Sequence, residues 1–491
     1  MENNLPEIKL SPEQELAFNK YKLGKNIFIT GPGGSGKSEL IKKIYNDANQ
    51  KGKNIQVTAL TGCAAVLLKC KAKTIHSWSG IGIANQEPEL IIKKVIENKY
   101  RCKPWREIDI LIIDEVSMMS LKIFNILDQI GRKLRRSYFK PFGGIQLIFS
   151  GDFYQLPPIG DKINSSNESS QFCFESEEWN DTFTFPYNQI QLVKIFRQKD
   201  DIYANILNQI REGKLKKSSN ELLINHMNKS KNDDSKNNTN IKPTKIFPLK
   251  NKVDQINQYE MSNLTSDELI YKIKPVYDLP ITKEEKDKIN LNYTRKDIEV
   301  EIEYLKSSSL CEKEVKLKIG AQVMCVVNME LTDEIMICNG SQGIITGITN
   351  NAYHEPLPIV KFKINNRYIE MTMGYHTWPS ENIPGIGISQ IPLILAWAIT
   401  IHKSQGATLE HAEIDVGSNI FESGQTYVAL SRVKGLEGLK LKSFDASKIK
   451  INKKAKEYYE KLTEAQKSHI QKKEPQNTDT NTNIFDKFAC K

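Results

Sequence analysis

The chain has 491 residues, 39% of them apolar and 26% charged, so it can bury several cores and is neither disordered nor fibrous. At roughly 100–200 residues per domain, this length corresponds to two to four domains. Lys and Arg outnumber Asp and Glu by 69 to 59, and the net charge of +10 permits a basic groove without histone-like charge density.

The longest apolar stretch, Ile391–Ile401, is too short to span a bilayer. The N-terminal MENNLPEIKL has neither a signal peptide's apolar core nor a transit pattern, so a soluble, intracellular chain with no membrane partner is expected. The eight cysteines are scattered, with no C-x-x-C pair, which points to reduced thiols rather than disulfides or structural zinc.

In chain order, Asn26–Thr30, Ile55–Ala59, Ile108–Ile113 and Gln146–Ser150 are short apolar runs separated by helical patterns. That alternation predicts a parallel sheet flanked by helices. Lys229–Thr244 lacks an apolar face and is expected to be a solvated loop. From Val315 to Met373 the texture becomes β-rich and broken by Gly and Asn, which predicts a small barrel inserted between two α/β halves. A helix over about Lys453–Ser468 and a frayed tail over Gln471–Lys491 complete the chain.

The first strand runs into Gly31-Pro32-Gly33-Gly34-Ser35-Gly36-Lys37-Ser38, followed by the helical ELIKKIY. This run satisfies both a dinucleotide fingerprint and a phosphate-loop pattern. A dinucleotide site wants an acidic residue roughly 20 positions on, at the end of the next strand. Here that strand ends Gln56-Val57-Thr58-Ala59, without a carboxylate, and Lys37-Ser38 decides for the phosphate loop. Backbone N–H groups would wrap phosphates at a helix N-terminus, Lys37 would reach the β/γ oxygens and Ser38 would ligate magnesium. The third apolar run ends in Asp114-Glu115, a metal-side carboxylate and a base to orient water. Gln155, after the fourth run, is placed to sense a γ-phosphate.

These residues resemble the petite-integration-frequency (PIF) type of superfamily-one DNA helicases over most of Leu10–Phe444. Leu10-Ser11-Pro12-Glu13-Gln14 resembles the motif whose glutamine reads adenine. Thr61-Gly62-Cys63-Ala64-Ala65 and Thr74-Ile75-His76-Ser77-Trp78 resemble the family's single-strand contacts. Val116–Arg136, leading into Pro141-Phe142-Gly143-Gly144, resembles the segment that sets the family apart, with Gly131 where alanine is usual; in the earlier Thr74–Trp78 motif, Trp78 stands where phenylalanine is usual. Phe196-Arg197-Gln198 and Gly424–Arg432 carry two arginine fingers, Arg197 and Arg432. Leu317–Val323 and Asn339–Gly343 mark the barrel, and Trp397–Gly406 supplies Gln405 and Gly406 at the nucleotide and His402 and Lys403 at DNA.

The resemblance implies an α/β fold of two RecA-like parallel-sheet P-loop NTPase domains with an inserted SH3-like β-barrel. The expected division is 1–188 for the first lobe (with a wedge-like insertion about 76–105), 189–310 and 376–450 for the second, 311–375 for the barrel and 451–491 for the tail. It further implies an ATP- and Mg2+-dependent helicase moving 5′-to-3′ on single-stranded DNA and opening tailed or forked duplexes, as a monomer, in replication, repair or recombination. Two other functions are weighed beside it: a RecD- or relaxase-like helicase, and a nucleotide-gated DNA clamp that does not unwind. Several site residues also have plainer readings. His76 and Trp78 would suit a buried core and His402 a strand end, while Lys133, Arg135 and Arg136 form either a basic DNA-facing stripe or a solvated helix face.

Overall fold

The computed structural model describes residues 10–473 except 69, 83, 85, 161–166, 199, 233–241, 281–292, 309–311, 328, 331–335, 338–339, 365–366 and 381–382. Six parallel strands form the first sheet, in the spatial order 73–74, 55–59, 110–114, 146–151, 27–30, 189–191. The strands Ile27–Thr30 and Ile110–Asp114 are buried along their whole length, as a parallel sheet covered on both faces requires. Their Ile-rich runs have no polar alternation because neither face meets water. The strand Gln189–Gln191 pairs with Ile27–Thr30, so this sheet extends past the expected boundary at 188.

A second sheet holds four parallel strands, in the order 398–400, 244–247, 412–416, 439–444. Between its first two strands in the chain lies the SH3-like insertion. Its main sheet is antiparallel, in the order 367–372, 356–364, 342–350, 322–325, 393–395. The last of these strands lies outside 311–375, and Leu269–Lys272 pairs with Glu314–Leu317, so the insertion recruits chain on both sides of the expected segment.

Two further expectations change. Residues 229–232 finish the helix Lys217–Asn232 and Thr244 opens a strand, so the polar loop is shorter than its composition suggests. Leu223 is buried and Leu222 and Met227 pack beside it, and the helix runs one polar turn beyond that face. The remainder of that loop, 233–241, lies outside the described residues. The C-terminal helix runs over Lys453–Lys473, past Ser468, and residues 474–491 lie outside the described residues. This helix crosses back to the first lobe. Ala455, Tyr459 and Leu462 are buried in the same core as Phe28, Phe149 and Trp179.

Gly131 has a packing reason. It sits mid-helix in Leu121–Leu134, and a Cβ there would meet the Phe142 carbonyl oxygen at 2.6 Å. Arg135, one turn on, donates to Gly143 O and to the carbonyls of Trp105, Arg106 and Ile108. It ties helix ends together and is not part of a solvated stripe.

A candidate nucleotide site between two lobes

Gly31, Gly34 and Gly36 all have positive φ (147°, 84° and 82°), which bends the loop into a cradle at the start of the helix Lys37–Gln50. Ser35 is buried inside this turn and Pro32 at its rim, while Ser38 is exposed on the first helical turn. Lys37 Nζ donates to Gly31 O (2.7 Å) and Pro32 O (3.0 Å), so its ammonium is folded onto its own loop. Burial pushes this ammonium below its usual range, and the charges of Asp152, Glu115 and Asp114 oppose that shift. Three carboxylates therefore act on the charge of the cation expected to meet phosphate.

Gln14 is tied at both ends. Its Oε1 accepts from Ser11 N–H (2.9 Å) in a capping box, and its Nε2 faces Ser35 O (3.4 Å) and Gly36 O (3.3 Å). The amide expected to read adenine here braces the phosphate loop.

Asp114 closes its strand with 6% of its surface exposed, and burial raises its carboxyl above the usual range. Glu115 follows in a left-handed conformation (φ 57°, ψ 38°), a backbone cost of about 1 kcal/mol for a residue with a side chain. Burial, then the charge of Asp114, pushes Glu115 up to about 7, while Lys37, Arg432 and the Gln405 hydrogen bond act the other way. Gln405 Nε2 donates to Glu115 Oε2 at 3.2 Å. Gln405 belongs to the second lobe, and Gly406 beside it has φ 81°. Gln155 is buried, with its N–H on Asp152 O (2.8 Å) and its Nε2 facing Asp152 Oδ2 (3.5 Å).

The second lobe closes over the loop at several points. Tyr427 Oη accepts the Gly33 N–H at 2.7 Å. Phe196 N–H donates to Gly34 O at 2.8 Å, and Arg197 Nη1 donates to Ser431 O at 3.4 Å, which lays Arg197 across the cradle. Arg432 is 2% exposed and bound within its own lobe, to Val428 O (2.7 Å), Ser404 O (3.3 Å), Ala407 O (3.3 Å) and Ser431 Oγ (2.7 Å). Burial and the neighbouring Arg197 push its guanidinium down to about 9, with Glu115 opposing.

Four contributors escaped the sequence reading. Asp152 and Arg211 form a bidentate buried pair across the lobes, both contacts at 2.8 Å. Gly424 presses on the Gln155 carbonyl so closely that a Cβ would sit 2.5 Å from it. Gly424 and Tyr427 both stood inside the recognised motif Gly424–Arg432, which was the available signal; nothing local marks Arg211.

The residues expected at DNA lie at the C-terminal ends of parallel strands, the edge where open α/β sheets bind ligands. Thr61 and Gly62 start the helix after Ile55–Ala59, and Thr61 Oγ1 accepts from Ala64 N–H. His76 is half-buried, and burial pushes its imidazole down to about 4, leaving it neutral at pH 7. His402 is half-buried and lowered for the same reason, and Lys403 is exposed with Glu312 3.4 Å away. Trp78 corrects the expectation. It is 7% exposed and its ring packs on Trp105 with centroids 4.8 Å apart, so it belongs mainly to the core.

A phosphate loop, an acidic strand end and two parallel-sheet lobes meeting over them define a two-lobed P-loop NTPase. The PIF1-like helicase family model matches residues 9–221 and that of the DNA helicase Pif1 2B domain matches residues 302–348. The chain is 31% identical to ATP-dependent DNA helicase RRM3 of Saccharomyces cerevisiae, over 93% of this chain and 68% of the relative. The crystal structure of Pif1 helicase from Candida albicans superposes with a TM-score of 0.71 at 31% identity, covering 93% of this chain and 100% of that one. Bacteroides Pif1 in complex with ADP-AlF3 and ssDNA gives a TM-score of 0.62 at 28% identity, over 93% and 98% of the two chains. The chain belongs to the PIF1-like helicase family. It spans 57 to 68% of the length of the fungal and vertebrate relatives it matches. No described helix is long and apolar enough to cross a membrane.

Proposed function

We propose that this helicase hydrolyses ATP between its lobes and uses their closure to move 5′-to-3′ along single-stranded DNA, opening tailed or forked duplexes. The observation that carries the reading is the pair of contacts across the cleft, Gln405 on Glu115 and Tyr427 on Gly33. Two groups of the second lobe touch the groups of the first that would handle water and phosphate. Loss of the γ-phosphate would then be felt directly by the second lobe.

In this mechanism Lys37 leaves the carbonyls of Gly31 and Pro32 for the β/γ oxygens. Glu115, with its affinity for protons raised by burial, takes a proton from the attacking water while Gln405 orients it. Arg197 and Arg432 bring charge to the transition state. For Arg432 this requires exchange of its present carbonyl partners for phosphate. A buried Asp114 and an exposed Ser38 hydroxyl suit a divalent cation beside the phosphates. Magnesium there would supply charge neutralisation at the β/γ oxygens.

Thr61, Gly62, His76, His402 and Lys403 are proposed to hold the strand through phosphates and stacking, without reading sequence. Both lobes and both arginines come from one chain, which supports action by a single copy. Strand displacement on 5′-tailed and 3′-tailed duplexes tests the reading. Opening of the 5′-tailed substrate, at a rate per enzyme independent of enzyme concentration, is expected. Opening of the 3′-tailed one alone would reverse the polarity, and ATP-dependent binding without opening would make the chain a clamp.

A further inference from the structure

The helix Lys453–Lys473 follows the second lobe in the chain yet packs in the first, and it delivers Tyr459 into the first lobe's core. Its hydroxyl meets three groups. Phe153 N–H donates to it at 3.0 Å, Thr30 Oγ1 lies 2.5 Å away and Asp152 Oδ1 lies 3.4 Å away. One arrangement satisfies them all: Phe153 and Thr30 donate to the hydroxyl, and the hydroxyl donates to Asp152. Each partner belongs to a working part. Thr30 immediately precedes Gly31 of the phosphate loop. Asp152 opens the turn that presents Gln155, and it holds Arg211 of the second lobe through both carboxylate oxygens. The Arg211 guanidinium lies 4.8 Å from the Tyr154 ring and 5.5 Å from the Tyr459 ring, and those two rings stack at 4.7 Å.

We propose that Tyr459 is a positioning residue for ATP turnover, whose hydroxyl locks the phosphate-loop strand, the Gln155 turn and the Asp152–Arg211 pair into one register. The C-terminal helix is thereby a working part of the motor. Without this hydroxyl the strand end and the turn that carries Gln155 keep the sheet and the Phe28–Phe153 ring contact but lose the hydrogen bonds that tie Thr30, Phe153 N–H and Asp152 to one atom. The proposal rests on the hydrolytic reading of the cleft.

Tyr459→Phe keeps the stacked ring and removes only the hydroxyl. Steady-state ATPase on saturating oligothymidine is measured with the full chain, together with affinity for a fluorescent ATP analogue and the thermal midpoint. A fall in kcat of about tenfold, with KM and analogue affinity within about twofold, is expected of lost transition-state positioning. Arg211→Lys keeps the charge and loses the bidentate fork. Because both act through Asp152, the double variant is expected to be no slower than the slower single one. Wild-type kcat in Tyr459→Phe, or multiplying losses in the double variant, overturns the proposal. So does a loss confined to the thermal midpoint. Lys37→Ala separates the two levels: if it still hydrolyses ATP the reading of the cleft fails, whereas a dead Lys37→Ala beside a normal Tyr459→Phe removes Tyr459 alone.

Discussion

The Gln405 amide of the second lobe donates to the Glu115 carboxylate of the first at 3.2 Å. This bond favours the ionised carboxylate, whereas burial and Asp114 favour the protonated one and win, placing Glu115 at about 7. Turnover should therefore fall as pH drops through about 7, because the base is then protonated. Removing the donor with Gln405→Leu should move this acid limb to higher pH. A pH profile of kcat/KM, which reports the nucleotide-free enzyme, checks both, and an unmoved limb would mean that Glu115 is not the group that titrates.

Stability should carry the opposite sign. The Glu115 carboxyl is raised above its ordinary value of 4.5, so its contribution is full below that value and is lost as pH rises through about 7. Urea midpoints of the nucleotide-free protein should decline over this window, and less steeply in Glu115→Gln. The same variant should bind nucleotide but turn over about 10²–10⁴-fold more slowly, the usual contribution of a general base. Equal loss of binding and turnover would make Glu115 structural.

Lys37→Ala should lose DNA-stimulated ATPase and unwinding, since no other cation is placed to follow the β/γ oxygens from within the loop. The substitution also takes the donor from Gly31 O and Pro32 O and the cation from near Asp152, Glu115 and Asp114. A modest fall in the thermal midpoint is therefore expected, and a collapse there would assign Lys37 to the fold.

Arg432→Ala is expected to hydrolyse ATP very slowly. It also strands the carbonyls of Val428, Ser404 and Ala407, each a penalty of about 1–3 kcal/mol if left unpaired. Arg432→Lys is therefore the cleaner test. It retains a charge but cannot reproduce the planar fork, so turnover should remain low while nucleotide-free DNA binding is unchanged. Normal unwinding by Arg432→Lys would leave Arg197 as the sole finger.

Gly131→Ala should destabilise the first lobe by about 1–3 kcal/mol, the usual cost of overpacking, since backbone of Phe142 lies where the methyl would go. A urea midpoint equal to that of the unaltered chain would show that the segment Pro141–Gly144 can step aside. ATPase per folded molecule should change little, because neither Gly131 nor Phe142 is among the groups assigned to nucleotide.

The phosphate loop, the acid pair and the alternation of strands and helices were legible because each is a local matter. Glycines that must take positive φ, a lysine and serine at a helix start, and apolar runs buried on both faces all declare themselves within a few neighbouring residues. What tertiary structure alone decided lies between residues far apart in the chain. Gln405 meets Glu115 across 290 positions, Tyr459 meets Thr30 across 429, and Arg211 meets Asp152 across 59. No periodicity or propensity records such pairs, since they exist only once two lobes and a returning helix have packed. The same holds for Trp78, whose motif suggested a stacking face. A ring's exposure depends on what covers it, and Trp105 arrives from a separate helix to do so.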